Sequence, residues 1–225
     1  MLFRIILLIK TMQKARIKNI QLIVKCYLLY NMAMNLFFRH NNLVICYIKG
    51  FLTHKYIVDI DWSTKLYDCK LKLHEGGGII IGKKGLIHSL SVTQFSTKSK
   101  VCIGNNCFIN GGHRNRVVMN MHEEKSIIIG DDCIFSNNIE MHTTDYHSVT
   151  DDNGKRTNNA NDIIIGNHCW IGLRCLILKG VSLPAGTIVG AGSVVTKRFI
   201  KENTLIGGSP AQCLREHINW NIHRL

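Results

Sequence analysis

Between Ile165 and Val195 an aliphatic side chain returns at every sixth position: Ile165, Ile171, Ile177, Leu183, Val189 and Val195. A helix asks for apolar residues at spacings of three and four, and a half-buried strand asks for alternation. An unbroken step of six satisfies neither and is the signature of a parallel β-helix. Each hexad makes one short flat face and one corner. The aliphatic residue points to the axis, and Gly or a small polar residue lets the chain turn. Three faces close a coil of about 18 residues, and coils stack about 4.8 Å apart, the spacing of hydrogen-bonded strands.

The residue after the aliphatic one is Gly at 166, 172 and 190, and the fifth position carries Cys169, Cys175, Val181, Thr187 and Ser193. Small side chains there suit a crowded interior. The same frame shows in Ile129-Gly130 through Cys133 and Phe135 to Met141, in Ile103-Gly104 through Cys107 to Ile109, and in Ile81-Gly82 with Ile87. With this pattern the chain resembles the hexapeptide-repeat acyltransferases. The implied fold is all-β, a left-handed parallel β-helix. The handedness belongs to the resemblance, since it opposes the usual right-handed crossover rule.

The resemblance spans residues 76 to 220, within three expected units. Residues 1–58 form a basic amphipathic helical extension and 59–211 the β-helix, with corner loops at 111–125 and 143–161. Residues 212–225 form a short C-terminal helical tail. Residues 88 to 101 blur the frame, and Tyr56 to His74 has the character of irregular entry strands.

The 225 residues suffice for one buried domain plus an extension, and 46% apolar content with two prolines is ordinary for a soluble chain. Of nine cysteines, Cys107, Cys133, Cys169 and Cys175 share one interior position of the repeat, where thiols act as small buried hydrophobes. The odd count and lack of a clustered framework point to free thiols in a reducing cytoplasm. No C-x2-C pair occurs, and no metal is expected.

Charge is concentrated at the start. Residues 1–58 hold nine Lys or Arg and no acid, so they supply most of the formal +13. Ile5, Leu8, Ile9, Met12, Ile17, Ile20 and Val24 interleave at helical spacing. The longest uncharged stretch, Cys26 to Phe38, is short of the roughly 20 residues of a membrane span. No small-residue cleavage site follows Arg4 and its IILLI run, as a signal peptide would need. Two roles stand side by side: a cap on the open end of the β-helix, packing a homotrimer, and peripheral contact with an anionic inner-membrane surface. Apolar richness counts against nucleic acid.

The second loop carries the chemistry. Asp145-Tyr146-His147-Ser148-Val149 places a His beside an acid at the lip of a coil. An imidazole, with an unperturbed pKa of about 6.5, can take a proton from a sugar hydroxyl during acyl transfer. The segment is similar to the D-x-H-x-[IV] of family members that O-acetylate sugars of capsules and lipopolysaccharides, which implies His147 as general base. Asp145 either orients that imidazole or caps a turn. Trp170-Ile171-Gly172 resembles the W-I-G of the family, implying Trp170 beside the transfer site, with packing at a trimer contact as the plain alternative. GAGSVVTK from Gly190 to Lys197 matches letter for letter and implies acetyl-CoA contacts at Ala191, Thr196 and Lys197, with Gly172 and the backbone of Leu173 along the pantetheine. After Gly207-Gly208-Ser209-Pro210-Ala211 the family usually has a basic residue. Here Gln212 stands, and Arg215 is the substitute phosphate ligand. Asn110 is the implied contact to the acceptor sugar.

These residues imply an acetyl-CoA-dependent O-acetyltransferase acting on a surface polysaccharide or its precursor. The implied enzyme is cytoplasmic and trimeric, with each site shared between subunits. A second class uses the spacing of His142 and His147. Trimeric β-helix carbonic anhydrases hold a metal with two His so spaced and a third from another coil, for which His113 and His122 are available.

Overall fold

The computed structural model describes residues 55–112 and 115–222. Of the helical extension expected over 1–58, residues 1–54 lie outside the described residues, as does His113 between the two stretches, while its end at Ile57 and Val58 is strand and not helix.

The strands follow one another in triplets. The first coil is β1 (Ile57–Ile60), β2 (Lys65–Tyr67) and β3 (Lys70–Lys72); the second is β4 (Gly78–Ile81), β5 (Leu86–His88) and β6 (Leu90–Gln94). The third is β7 (Lys100–Ile103), β8 (Phe108–Asn110) and β9 (Val117–Met121); the fourth is β10 (Ile127–Ile129), β11 (Ile134–Phe135) and β12 (Ile139–His142). The fifth is β13 (Ile163–Ile165), β14 (Trp170–Ile171) and β15 (Leu176–Leu178); the sixth is β16 (Ser182–Leu183), β17 (Ile188–Val189) and β18 (Val194–Val195). First strands stack into sheet A, second strands into sheet B and third strands into sheet C, all in parallel.

Register confirms the reading of the hexads. Sheet B carries one inward column, Leu66, Ile87, Ile109, Phe135, Ile171, Val189 and Ile206, each paired with the next. Sheet C carries Leu71, Val92, Met119, Met141, Ile177 and Val195 in the same way. All of these are buried. Between the columns the interior thiols bond to carbonyls of the neighbouring coil. Cys107 Sγ reaches Gly130 O, Cys133 Sγ reaches Gly166 O and Cys175 Sγ reaches Gly190 O, each at 3.2 Å. Burial raises the Cys175 thiol and pushes Cys69 up to about 11, so both stay protonated. Every described cysteine is a free thiol.

The corners of the fifth and sixth coils each turn on a residue in the left-handed region. His168, Arg174, Gly180, Gly186 and Gly192 follow one another at the step of six, with φ between 55° and 74°. The corner between sheets A and B adds a ladder of side-chain caps. Asn105 Oδ1 accepts from Lys83 N (2.9 Å), Asp131 Oδ1 from Asn105 N (2.7 Å) and Asn167 Oδ1 from Asp131 N (2.9 Å). Backbone donors with no strand partner are thereby satisfied from one coil to the next.

Three expectations are corrected. The entry region is a complete coil, starting at Ile57; residues 88 to 101 do break the count of six, as expected, yet still complete a coil, because Ser89 (φ 56°) shortens the corner so that Ile87 and Val92 lie five apart. The loop expected over 111–125 is shorter: Val117–Met121 is β9, with Val117, Met119 and Met121 facing inward against β6 and β12. Residues 111–112 and 115–116 on one side of β9 and the turn at 122–126 on the other leave the frame, and Arg116 Nη2 ties the first back to Asp68 Oδ2 two coils below (2.6 Å).

The tail, thirdly, holds no helix among its described residues. β19 (Leu205–Gly208) stacks on β17, and β20 (Ala211–Arg215) returns antiparallel across the open end. Residues 216–222 then run back down the A/B corner. Trp220 stacks on His168 (ring centroids 4.2 Å, interplanar angle 7°) and donates from Nε1 to His168 O at 2.9 Å. His217 has φ 57°, incompatible with a right-handed turn, and an isolated turn of this length gains little from helical bonds. Stacking on the corner outweighs them.

Candidate active site

The loop that leaves the solenoid after His142 returns at Ile163, on the corner between sheets C and A. Its base is buried and bonded to the coil below. Thr143 Oγ1 accepts from His122 N (3.1 Å), and Thr144 Oγ1 donates to Glu123 Oε1 (3.1 Å). Arg156 closes the loop from the other side with a two-pronged pair to Glu123, 2.7 and 2.8 Å. That guanidinium holds the Glu123 carboxyl at about 2, below its ordinary 4.5.

Between these ties sits a tight turn. His147 N donates to Asp145 O at 2.8 Å across Tyr146, whose φ is 63°. This is a three-residue turn with a bulky residue in the left-handed region, a conformation costing on the order of 1–3 kcal/mol. Packing holds it. The Tyr146 ring meets Phe95 edge-on at 5.6 Å, and its hydroxyl lies 3.0 Å from His142 Nδ1. The turn presents His147 to solvent, and among the described residues its imidazole has no hydrogen-bond partner.

Asp145 does not orient that imidazole. Its carboxylate accepts from Lys179 Nζ and from Asn158 Nδ2 (2.8 Å), and the Lys179 ammonium holds it below the usual carboxylate range. Asn158 bonds along the whole turn. Its Nδ2 also donates to His147 O (2.8 Å), and its Oδ1 accepts from Val149 N (2.8 Å).

The other expected site residues lie on different parts of the solenoid. Thr196 and Lys197 follow β18 on the C/A corner, the corner of His147, two coils above the loop. Asn110, Leu173 and Ala191 stand on the B/C corner, across the face of sheet C, three residues or roughly 10 Å wide. Gly172 lies there too, where a Cβ would meet Val189 O at 2.6 Å and Ala191 N at 2.7 Å, so only glycine lets these coils close. Trp170 points outward from sheet B beside Trp220 (6.2 Å), and Arg215 lies exposed on β20. Lys197 Nζ donates to Oε1 of Gln212 at 2.7 Å. The glutamine at the usually basic position thus holds the lysine expected to meet a phosphate.

His142 is occupied, with Nδ1 toward Tyr146 and Nε2 3.2 Å from Glu140 Oε2. Among the described residues no group of three His, Cys, Asp or Glu is placed to hold a metal ion. Sequence reasoning missed Lys179, Asn158, Glu123 and Arg156. The one available signal, the turn-forming Asn and Asp residues between Asn158 and Asp162, bears on Asn158 alone.

The acid side of the loop is testable by pH. Because the folded pKa of Glu123 lies below its unfolded value, the folded protein binds fewer protons in that window, and stability falls as pH falls. Attachment of the loop is complete above about pH 4.5 and weakens toward pH 2. Hydrogen exchange should show residues 143–158 losing protection across this range before β10 does, and simultaneous loss would remove Glu123 as the tie.

Residues 162–197 match the family model for the hexapeptide repeat of succinyl-transferase. The polysialic acid O-acetyltransferase of Neisseria meningitidis is 42% identical over 99 residues, 44% of this chain and 46% of that protein. The galactoside O-acetyltransferase of Escherichia coli K12 is 31% identical over 124 residues, 54% of this chain and 57% of that protein. The chain thus spans about half the length of the curated relatives it matches. The crystal structure of the polysialic acid O-acetyltransferase OatWY superposes with a TM-score of 0.64 at 27% identity, covering 76% of this chain and 90% of the other. The solenoid is the left-handed parallel β-helix of these hexapeptide-repeat proteins.

Proposed function

We propose that this hexapeptide-repeat chain, similar to the sugar O-acetyltransferases of capsules, moves an acetyl group from acetyl-CoA to a hydroxyl of a surface polysaccharide or its precursor. The carrying observation is His147: a solvent-facing imidazole on a rigidly tied turn, in a chain 42% identical over 99 residues to a polysialic acid O-acetyltransferase.

His147 takes the proton of the acceptor hydroxyl as that oxygen attacks the thioester carbonyl. A tetrahedral oxyanion forms, the carbon–sulfur bond breaks, and the departing thiolate receives the proton back from the imidazolium. Each proton taken is returned, so no acyl-enzyme is required. Lys197, steadied by Gln212, meets a phosphate of the donor, and the backbone at Leu173 and Ala191 meets the amides of its arm. The two corners that hold these groups lie on opposite edges of sheet C. A pocket with both is completed between neighbouring copies in a trimer, the C/A corner of one meeting the B/C corner of the next.

The test is release of free thiol from acetyl-CoA in the presence of polysialic acid, other capsular polysaccharides and their sugar precursors, with metal content assayed in the same samples. Release that depends on one acceptor class is the expected result. No release with any acceptor, together with stoichiometric metal, would replace this reading by the hydratase that uses His142 and His147.

A further inference from the structure

We propose that Lys179 and Asn158 are positioning residues for His147, acting through the backbone of its turn. The inference rests on the acetyltransferase reading for its kinetic arm and on geometry alone for the rest.

Two observations carry it independently. The first is the strained turn itself: a tyrosine at φ 63° with a bond from His147 N to Asp145 O does not persist unless its surroundings over-determine it. The second is the arrangement that does so. Asn158 grips the turn at Asp145 Oδ2, His147 O and Val149 N, and Lys179 Nζ grips both Asp145 Oδ2 and Asn158 O (2.8 Å). Lys179 belongs to the solenoid, directly after β15, whereas Asp145 and Asn158 belong to the loop. The lysine therefore sets the loop against the coil above it, and the asparagine transmits that setting to the histidine.

The Lys179 side chain is 19% exposed, and its pair with Asp145 is partly screened from solvent. Neither residue reaches the imidazole, which leaves His147 free to exchange a proton. Displacing a reacting group by about 1 Å costs on the order of 100-fold in rate, so the effect belongs in turnover and not in donor binding.

Lys179→Met, Lys179→Arg and Asn158→Ala test the inference. Lys179→Met and Asn158→Ala should lower kcat by roughly 10- to 100-fold with KM for acetyl-CoA unchanged, and Lys179→Arg should restore most of the loss. Histidine side-chain NMR on the same proteins needs no activity. The His147 resonance should be single and sharp in wild type and in Lys179→Arg, and shifted or broadened in Lys179→Met. An unchanged His147 resonance in Lys179→Met, or wild-type kcat in that variant, overturns the positioning role. Wild type without acetyl transfer but with the expected NMR pattern removes the reaction assigned to the site and leaves the positioning intact.

Discussion

Replacing His147 by alanine should reduce acetyl transfer by about 10²- to 10⁴-fold in kcat, the ordinary contribution of a positioned general base. That range corresponds to about 3 to 5 kcal/mol of transition-state stabilisation. Three features of the structure make the test clean. The side chain is exposed and makes no hydrogen bond or ion pair with a described residue, so its loss leaves no buried cavity and should change unfolding by under about 0.5 kcal/mol. The turn is held through backbone atoms and through Asp145, all of which alanine retains. The residues expected to meet the donor lie elsewhere, so KM for acetyl-CoA should stay at the wild-type value. His147→Gln, which keeps hydrogen bonding and cannot take the proton, should be as inactive as the alanine variant. Turnover within about threefold of wild type in either variant would deprive the imidazole of its role and sink the general-base mechanism.

What the sequence disclosed follows from what repeats. An interior residue in a solenoid meets the same environment six positions on, so the columns through Ile171 and Ile177 could be read without any contact being known. The frame failed where a corner changed length. Ser89 shortens one corner and the link from Gly111 to Arg116 lengthens another, so a count by sixes lost register although Val117, Met119 and Met121 still alternate inward. The helix expected of the tail from the resemblance of His217 to Trp220 to the family pattern does not form, because the conformation there is decided by the stack of Trp220 on His168, 52 residues away. In the site, His147 was legible only through the motif around it. Lys179 and Asn158 were not, since Lys179 meets Asp145 across 34 residues and Asn158 meets Asp145 across 13, and a loop has no period to reveal such pairs.

The second large effect is expected in the core. Phe135 is fully buried in the inward column of sheet B, paired with Ile109 below and Ile171 above. Phe135→Ala should cost about 3 to 5 kcal/mol, since stacked coils joined by parallel strands cannot collapse onto the void. Phe135→Leu, which keeps most of the volume, should cost less than about 1.5 kcal/mol. Ile200, 89% exposed beyond the last coil, offers a control whose alanine variant should lie within about 0.5 kcal/mol of wild type. Denaturant titration reads all three as shifts in midpoint at constant slope. The consequence for function is local. In a solenoid each coil is stabilised by its neighbours, and Phe135 shares its coil with β12, from which the His147 loop departs. Loss of Phe135 should therefore loosen the fourth coil first, with hydrogen-exchange protection falling in β10 to β12 before the sixth coil. An equal fall along the whole solenoid would mean that the coils unfold as one unit, and that His147 depends on the entire stack and not on the coil that carries it.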